Sequence, residues 1–303
     1  GKYLINLDSE DEGEIFIGCA GGIDTVAEFR YKREAAPKGY VFYRFDVSEL
    51  VGGHSGDDID KGRANSNKIA TRLLYEAQGR YDARLSYMDG GNLRNAIPRE
   101  AYAVFGIPAK MRSAFEERYA AFAEEVKEEF RLTDPDMRLS LSEMPDVGEV
   151  MDAESQRRLV GAAMCVANGV VAMSQAVKGL VETSTNLASV KFVGEDRIVV
   201  TTSQRSSVES AKLYAMQTVE AAFALAGAEV SHSDGYPGWT PDPDSRLLRL
   251  TEECYRRLFG AEPKVRAVHA GLECGLFLEK YPELEMVSFG PTIRGVHSPD
   301  ERL

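Results

Sequence analysis

The 303-residue sequence predicts an α/β protein with an inserted α+β domain. Antiparallel sheet plus helices should fill the insert. Two pieces of a mostly parallel, doubly wound sheet should flank it. Three observations carry this expectation. The C-terminal part runs helix, strand, short helix, strand, as at the edge of a doubly wound sheet. The middle of the chain repeats a helix–strand–strand–helix order. Between them SDGYPGWTPDPDS, residues 233 to 245, is dense in Gly, Pro and Asp and reads as a return crossing. The expected divisions are 1–18, 19–234 and 235–303, the middle one carrying a weak internal duplication.

The elements follow in order. Residues 3 to 7 and 14 to 18 read as strands, as do 24 to 33 and 40 to 48. GGHSG (52 to 56) breaks the pattern. A helix is predicted over 62–79, with Ile69, Leu73 and Leu74 near one face. Ala83 to Tyr87 and Ala101 to Phe105 alternate as strands. Pro108 opens a helix to about Phe130. A connector, 133 to 150, has room for a short strand at Met137 to Leu141. The second half predicts a helix over 153–178, strands over 187–193 and 197–203, a helix over 206–227 and a strand near 228–232. A helix over 246–260 should bury Leu247, Leu250, Cys254 and Leu258. VRAVHAG then reads as a strand, ECGLFLEKY as a short helix and EMVSFGP as a strand.

Composition narrows the function classes. The formal net charge is −12, from 48 Asp+Glu against 36 Lys+Arg. That argues against nucleic acid as a partner, which would want a basic stripe. No apolar run reaches transmembrane length, so no membrane role is expected. With no signal-peptide pattern at the start, the cytoplasm is the default compartment. Cys19, Cys165, Cys254 and Cys274 form no CxxC pair and read as small apolar thiols.

Several residues could carry chemistry. Asp8 ends the apolar run YLINL, at the carboxyl end of a strand where open α/β sheets bind ligands. An acidic surface turn is the alternative. His297, in GVHSPDE, has a neutral imidazole suited to zinc, with Asp300 and Glu301 nearby. His54 sits in a glycine turn, where it could donate to an anionic oxygen or bond the turn's own backbone. Asn95 in GGNLRNAIP and Arg205 in TSQRSS could clamp a carboxylate, or cap and cover surface. In HAGLECG (269 to 275) the glycines would let backbone approach a ligand. His232 has no evident partner and reads as structural. No P-loop, dinucleotide fingerprint, HExxH or GxSxG occurs.

LDSEDEG, GGHSG, GGNLRNAIP, STNLA, GYPGW, HAGLECG and SFGPTIRGVHSPDE, in unbroken order, resemble the aminoacyl-histidine (Xaa-His) dipeptidases of the two-zinc metallopeptidase clan. The resemblance implies a catalytic domain interrupted by a lid and dimerisation domain. It implies two zinc ions per complete site, other divalent ions such as cobalt or manganese being possible, a small peptide substrate such as carnosine and a homodimer joined through the lid. It assigns Asp8 to one metal and His297 to the other. His54 resembles the lid histidine that reaches the substrate across the dimer. Asn95 and Arg205 resemble further substrate contacts, and Gly271 and Gly275 part of the pocket wall. The resemblance places the family's catalytic HxD motif and Glu-Glu pair in an N-terminal segment ahead of LDSEDEG, for which this sequence has no counterpart. The sequence therefore reads as a fragment, inactive by itself, of a full-length metallo-dipeptidase. The alternative is an isolated lid that dimerises and grips substrate without catalysis.

Overall fold

Alternating apolar residues at both ends of the chain build one small sheet, and the residues between them build a larger one. The structure is a computed structural model describing residues 1–7, 9, 11–294 and 302. β1 (Tyr3–Asn6) and β2 (Glu14–Cys19) open the chain. β3 (Gly21–Arg30), β4 (Arg33–Ala35), β5 (Tyr40–Ser48) and β6 (Gly53–His54) lead to α1 (Ser66–Tyr81). β7 (Arg84–Gly90), β8 (Ala96–Ile97) and β9 (Ala101–Pro108) precede a 3-10 turn and α2 (Arg112–Glu129). β10 (Arg138–Met144) and β11 (Glu149–Met151) lead to α3 (Ala153–Cys165). β12 (Gly169–Met173), β13 (Val181–Val193), β14 (Arg197–Ser206), α4 (Glu209–Leu225) and β15 (Glu229–His232) follow. α5 (Arg246–Phe259), β16 (Lys264–Val268), α6 (Cys274–Lys280) and β17 (Glu285–Ser288) come last.

Among the described residues the larger sheet has the order β10-β5-β9-β7-β13-β14-β3-β15, with β12 added beside β13. Its pairings are antiparallel throughout. The order is symmetric about the β7–β13 seam. On one side the chain runs α1, β7, β9, α2, β10, and on the other α3, β13, β14, α4, β15. The seam is narrow, with Val190 opposite Gly90 and Lys191 opposite Asp89. α1 packs on α2 and α3, and α3 on α4, so both halves share one core. Phe45, Phe105, Phe115 and Phe223 are fully enclosed in it. Each contributes about 1.5–3 kcal/mol of apolar burial.

The smaller sheet has the order β1-β17-β2-β16. β17 lies between two strands that neighbour each other in sequence, which locks both ends of the chain together. β1 is parallel to β17 and β2 to β16, while β17 meets β2 antiparallel at Ser288 and Phe16. The described residues thus form a mixed sheet, without the doubly wound order expected from the sequence. Ile15, Ile17, Leu247, Leu248 and Val287 form its core. Leu250 and Leu258, expected to be buried on α5, are 53% and 71% exposed. The helix's fully buried residues, Leu247 and Leu248, are both in its first turn.

Capping sets the helix boundaries. α1 starts later than expected because Asn65 is its cap, with Oδ1 accepting the Lys68 N–H at 3.2 Å. α3 starts at its Asp152 cap but ends at Cys165, well before 178. Val166 turns extended there, and its carbonyl and those of Ala163 and Met164 accept from Lys68 Nζ. Asn168 Oδ1 then accepts N–H groups from Asn65 and Leu187, fixing the exit. Gly169 and its β-branched neighbours Val170 and Val171 continue as β12 instead of helix.

Candidate functional site

The candidate site is a cavity of about 660 Å³ where the two sheets meet. Ser9, Arg266 and Gly271 line it from the smaller sheet and its loops, and His54, Asp60 and Val181 from the larger. One chain therefore supplies both walls, so His54 opens onto a cavity of its own subunit.

His54 is held by its turn. Gly53 has φ +134°, and a Cβ there would collide with Arg63 Nη1 and the Asp58 carboxylate. Freed of that clash, Asp58 accepts the His54 backbone N–H at 2.9 Å and pairs with Arg63 at 3.3 Å. Asp134, buried, accepts the N–H of Val51 at 2.9 Å and of Ala64 at 2.8 Å, clamping both ends of the segment. The imidazole Nδ1 accepts N–H groups from Gly56 at 3.3 Å and Asp57 at 3.2 Å. Those bonds require an unprotonated Nδ1, which leaves Nε2 as the N–H donor of the neutral ring. Asp57 lies 3.5 Å from the same nitrogen and would pair with it only in the protonated ring. Burial and the Arg205 charge both push the His54 pKa down, outweighing Asp57 and Asp58, so the neutral form prevails.

Arg205 comes from the other half of the large sheet. It is 7% exposed, and its Nη1 donates to the Tyr236 hydroxyl at 2.9 Å. Its Nε is buried without a hydrogen-bond partner, and no carboxylate pairs with it among the described residues. A buried guanidinium in that state is suited to an anion brought by a ligand.

His269 opens the HAGLECG motif. It is 5% exposed, lines the cavity and bonds Ser184 Oγ through Nε2 at 2.7 Å. Burial, then Arg205, pushes its pKa down to about 4, with Asp60 and the Val181 carbonyl opposing. Its Nδ1 has no partner of good hydrogen-bond geometry.

The other expected residues fall in different places. Asn95 is exposed, and its carbonyl accepts the Ser55 N–H at 2.9 Å. The β6–β8 ladder, with His54 opposite Ala96, sets it beside the His54 turn. Gly271 lines the cavity, with the Tyr236 ring behind it. Gly275 lies off the cavity, buried where a Cβ would strike the Pro237 carbonyl. His232, on β15, bonds Thr25 on β3 and Glu220 on α4.

Asp8 and His297, the expected metal ligands, lie outside the described residues, as do Asp300 and Glu301. Among the described residues no three His, Cys, Asp or Glu side chains are grouped to hold a metal ion. A catalytic zinc takes three protein ligands. The described residues alone do not supply that set. No helix among them is long and apolar enough to cross a membrane.

A peptidase dimerisation domain profile matches residues 38–134, the half of the large sheet that carries His54. The cytosol non-specific dipeptidase of Escherichia coli (strain K12) is 39% identical over 300 residues, covering 99% of this chain and 62% of that protein. The crystal structure of aminoacylhistidine dipeptidase from Vibrio alginolyticus superposes with a TM-score of 0.96 at 40% identity, covering 99% of this chain and 61% of that one. The chain thus spans about three fifths of the length of these relatives. By sequence and fold, the chain is a homologue of the aminoacylhistidine and cytosol non-specific dipeptidases.

Proposed function

We propose that this chain is the lid, dimerisation and substrate-gripping part of a metal-dependent dipeptidase, with segments 1–18 and 235–303 belonging to its catalytic domain and 19–234 to its lid. One observation carries the reading. A neutral imidazole with a free Nε2–H lines the cavity, and a buried guanidinium with no carboxylate partner among the described residues lies close enough to act on its charge.

Arg205 takes the terminal carboxylate of a short peptide, as a bidentate fork would. His54 Nε2–H donates to the scissile carbonyl oxygen, more strongly as that oxygen gains charge. Asn95 closes the lid side of the site, and Gly271 lets the peptide lie close to backbone. Gly275 supports that wall through the loop behind it. Asp8 and His297 act as ligands to two divalent ions, zinc by preference, in the complete enzyme. The relatives' names support a dipeptide substrate, Xaa-His included, and a cytosolic setting. The matched dimerisation profile supports a homodimer through the lid. The smaller sheet is read as part of a doubly wound catalytic sheet.

The gripping reading rests on His54 and Arg205, which the structure describes, whereas the expected metal ligands Asp8 and His297 lie outside the described residues. Calorimetric titration of the chain with carnosine and with its carboxamide tests the grip. Arg205→Met should weaken binding of the free dipeptide by roughly 10-fold or more and leave the amide unchanged, as for a hydrogen bond to a charged group. Equal affinity of the wild type for both ligands would sink the carboxylate assignment.

A further inference from the structure

His269 touches both gripping residues' supports without belonging to either half of the large sheet. It follows β16, in the smaller sheet. Its ring reaches across to Ser184 on β13, at 2.7 Å. Ser184 stands opposite Arg205 in the β13–β14 ladder, so their side chains leave the same face as neighbours. Its backbone faces the other way. A Cβ on Gly56 would run into the His269 carbonyl, so the His54 turn rests directly on that peptide. Gly56 is also one of the two donors to His54 Nδ1. Arg205 is held on its other side by Tyr236, whose carbonyl accepts from Lys212 Nζ at 2.8 Å.

We propose that His269 is a positioning residue, setting the Arg205 strand and the His54 turn at a fixed spacing beside the cavity. Ser184 is its partner in that role. The inference rests on the proposed reading of His54 and Arg205 as the two grips. His269 bonds β13 through its ring while its backbone carbonyl meets the His54 turn. An apolar residue of similar size would fill the volume and lose the Ser184 bond.

The test is calorimetric titration of carnosine and its carboxamide into wild type and Arg205→Met, Ser184→Ala, His269→Leu and His269→Gln chains. Ser184→Ala removes one oxygen only, so it guards against a fold defect in His269→Leu. Both variants should reduce the preference for the free dipeptide by roughly 5- to 10-fold, the value of one hydrogen bond to a polar site. The double variant should lose little more than either single one, because both remove the same bond. His269→Gln, whose amide can reach Ser184, should keep most of the preference. A merely structural role would weaken both ligands alike. If Arg205→Met abolishes the preference while Ser184→Ala and His269→Leu keep it, or weaken both ligands equally, the positioning role is overturned and the Arg205 reading stands. If the wild type shows no preference, the Arg205 reading falls, and the role of His269 with it.

Discussion

The charge on Arg205 reaches two imidazoles at once, depressing both His54 and His269. Replacing Arg205 with Met should therefore raise both pKa values, a change that imidazole NMR titration can follow. If neither resonance moves, the guanidinium does not govern this cavity. His269 also makes stability depend on pH in a definable direction. Folded, it takes its proton near pH 4, against an ordinary value of 6.5. Between those values the unfolded chain binds more protons, so stability is complete above 6.5 and falls as pH drops towards 4. The loss amounts to about 3 kcal/mol. Denaturant melts at pH 7 and pH 4.5 should show a smaller loss for His269→Gln than for wild type. At this scale the sequence was legible in part. GGHSG announced a histidine in a glycine turn and left open whether it bonds the turn or donates. The structure shows Nδ1 bonded to the turn and, in the neutral tautomer, leaves the Nε2–H to donate, which no residue spacing can reveal. Ser184 stood in STNLA with no role attached, and Asp134 and Arg63 gave no signal, since their roles arise from contacts made by folding. Asn95 and Gly275 were found through motifs, but a motif does not say which glycine faces a cavity.

The elements show where local pattern prevails and where long-range contacts override it. Most strands and helices stand where alternation and capping put them, because one buried face fixes each of them. α3 is the exception. Its small-residue sequence favours continuing as helix, yet Lys68 closes its last carbonyls and Asn168 ties the exit to β13. Both ties come from residues distant in sequence, so a local reading runs past the end. The segment carrying His54 depends on a similar long-range tie, the Asp134 carboxylate from beyond α2. Asp134→Ala would leave two N–H groups without their acceptor, Ala64's in a buried setting. It should cost about 2–4 kcal/mol, with both bonds charge-assisted. Hydrogen exchange should speed up across 51–64 first. Protection unchanged there would mean that the turn is held by Asp58 and Arg63 alone.

At the scale of the whole molecule, the symmetry of the large sheet decides where a complete site can lie. The dimerisation profile covers only the half that bears His54, and Arg205 comes from the half across the β7–β13 seam. Two copies of such a half in separate subunits would place these grips in trans, and the resemblance read from the sequence led to that expectation. Here both halves belong to one chain, and His54 lines a cavity whose opposite wall is the chain's own β16 and HAGLECG loop. A dimer through the lid would then join pairs of grips already formed within each chain and would not create them. The prediction concerns the metal-loaded protein at its relatives' full length. His54→Ala should lower turnover by roughly 10²-fold, as for the loss of one oxyanion donor. Arg205→Met should raise KM for free dipeptides. The two variants, mixed and allowed to exchange subunits, should regain nothing, because every chain carries one defect in its own site. If the grips met in trans, a mixed dimer would contain one intact site and one doubly damaged site. About a quarter of wild-type activity would then return at random exchange, since half the dimers would be mixed. Recovery near that level, with exchange verified by mass-tagged subunits, would show that the cavity seen within one chain is not the working site.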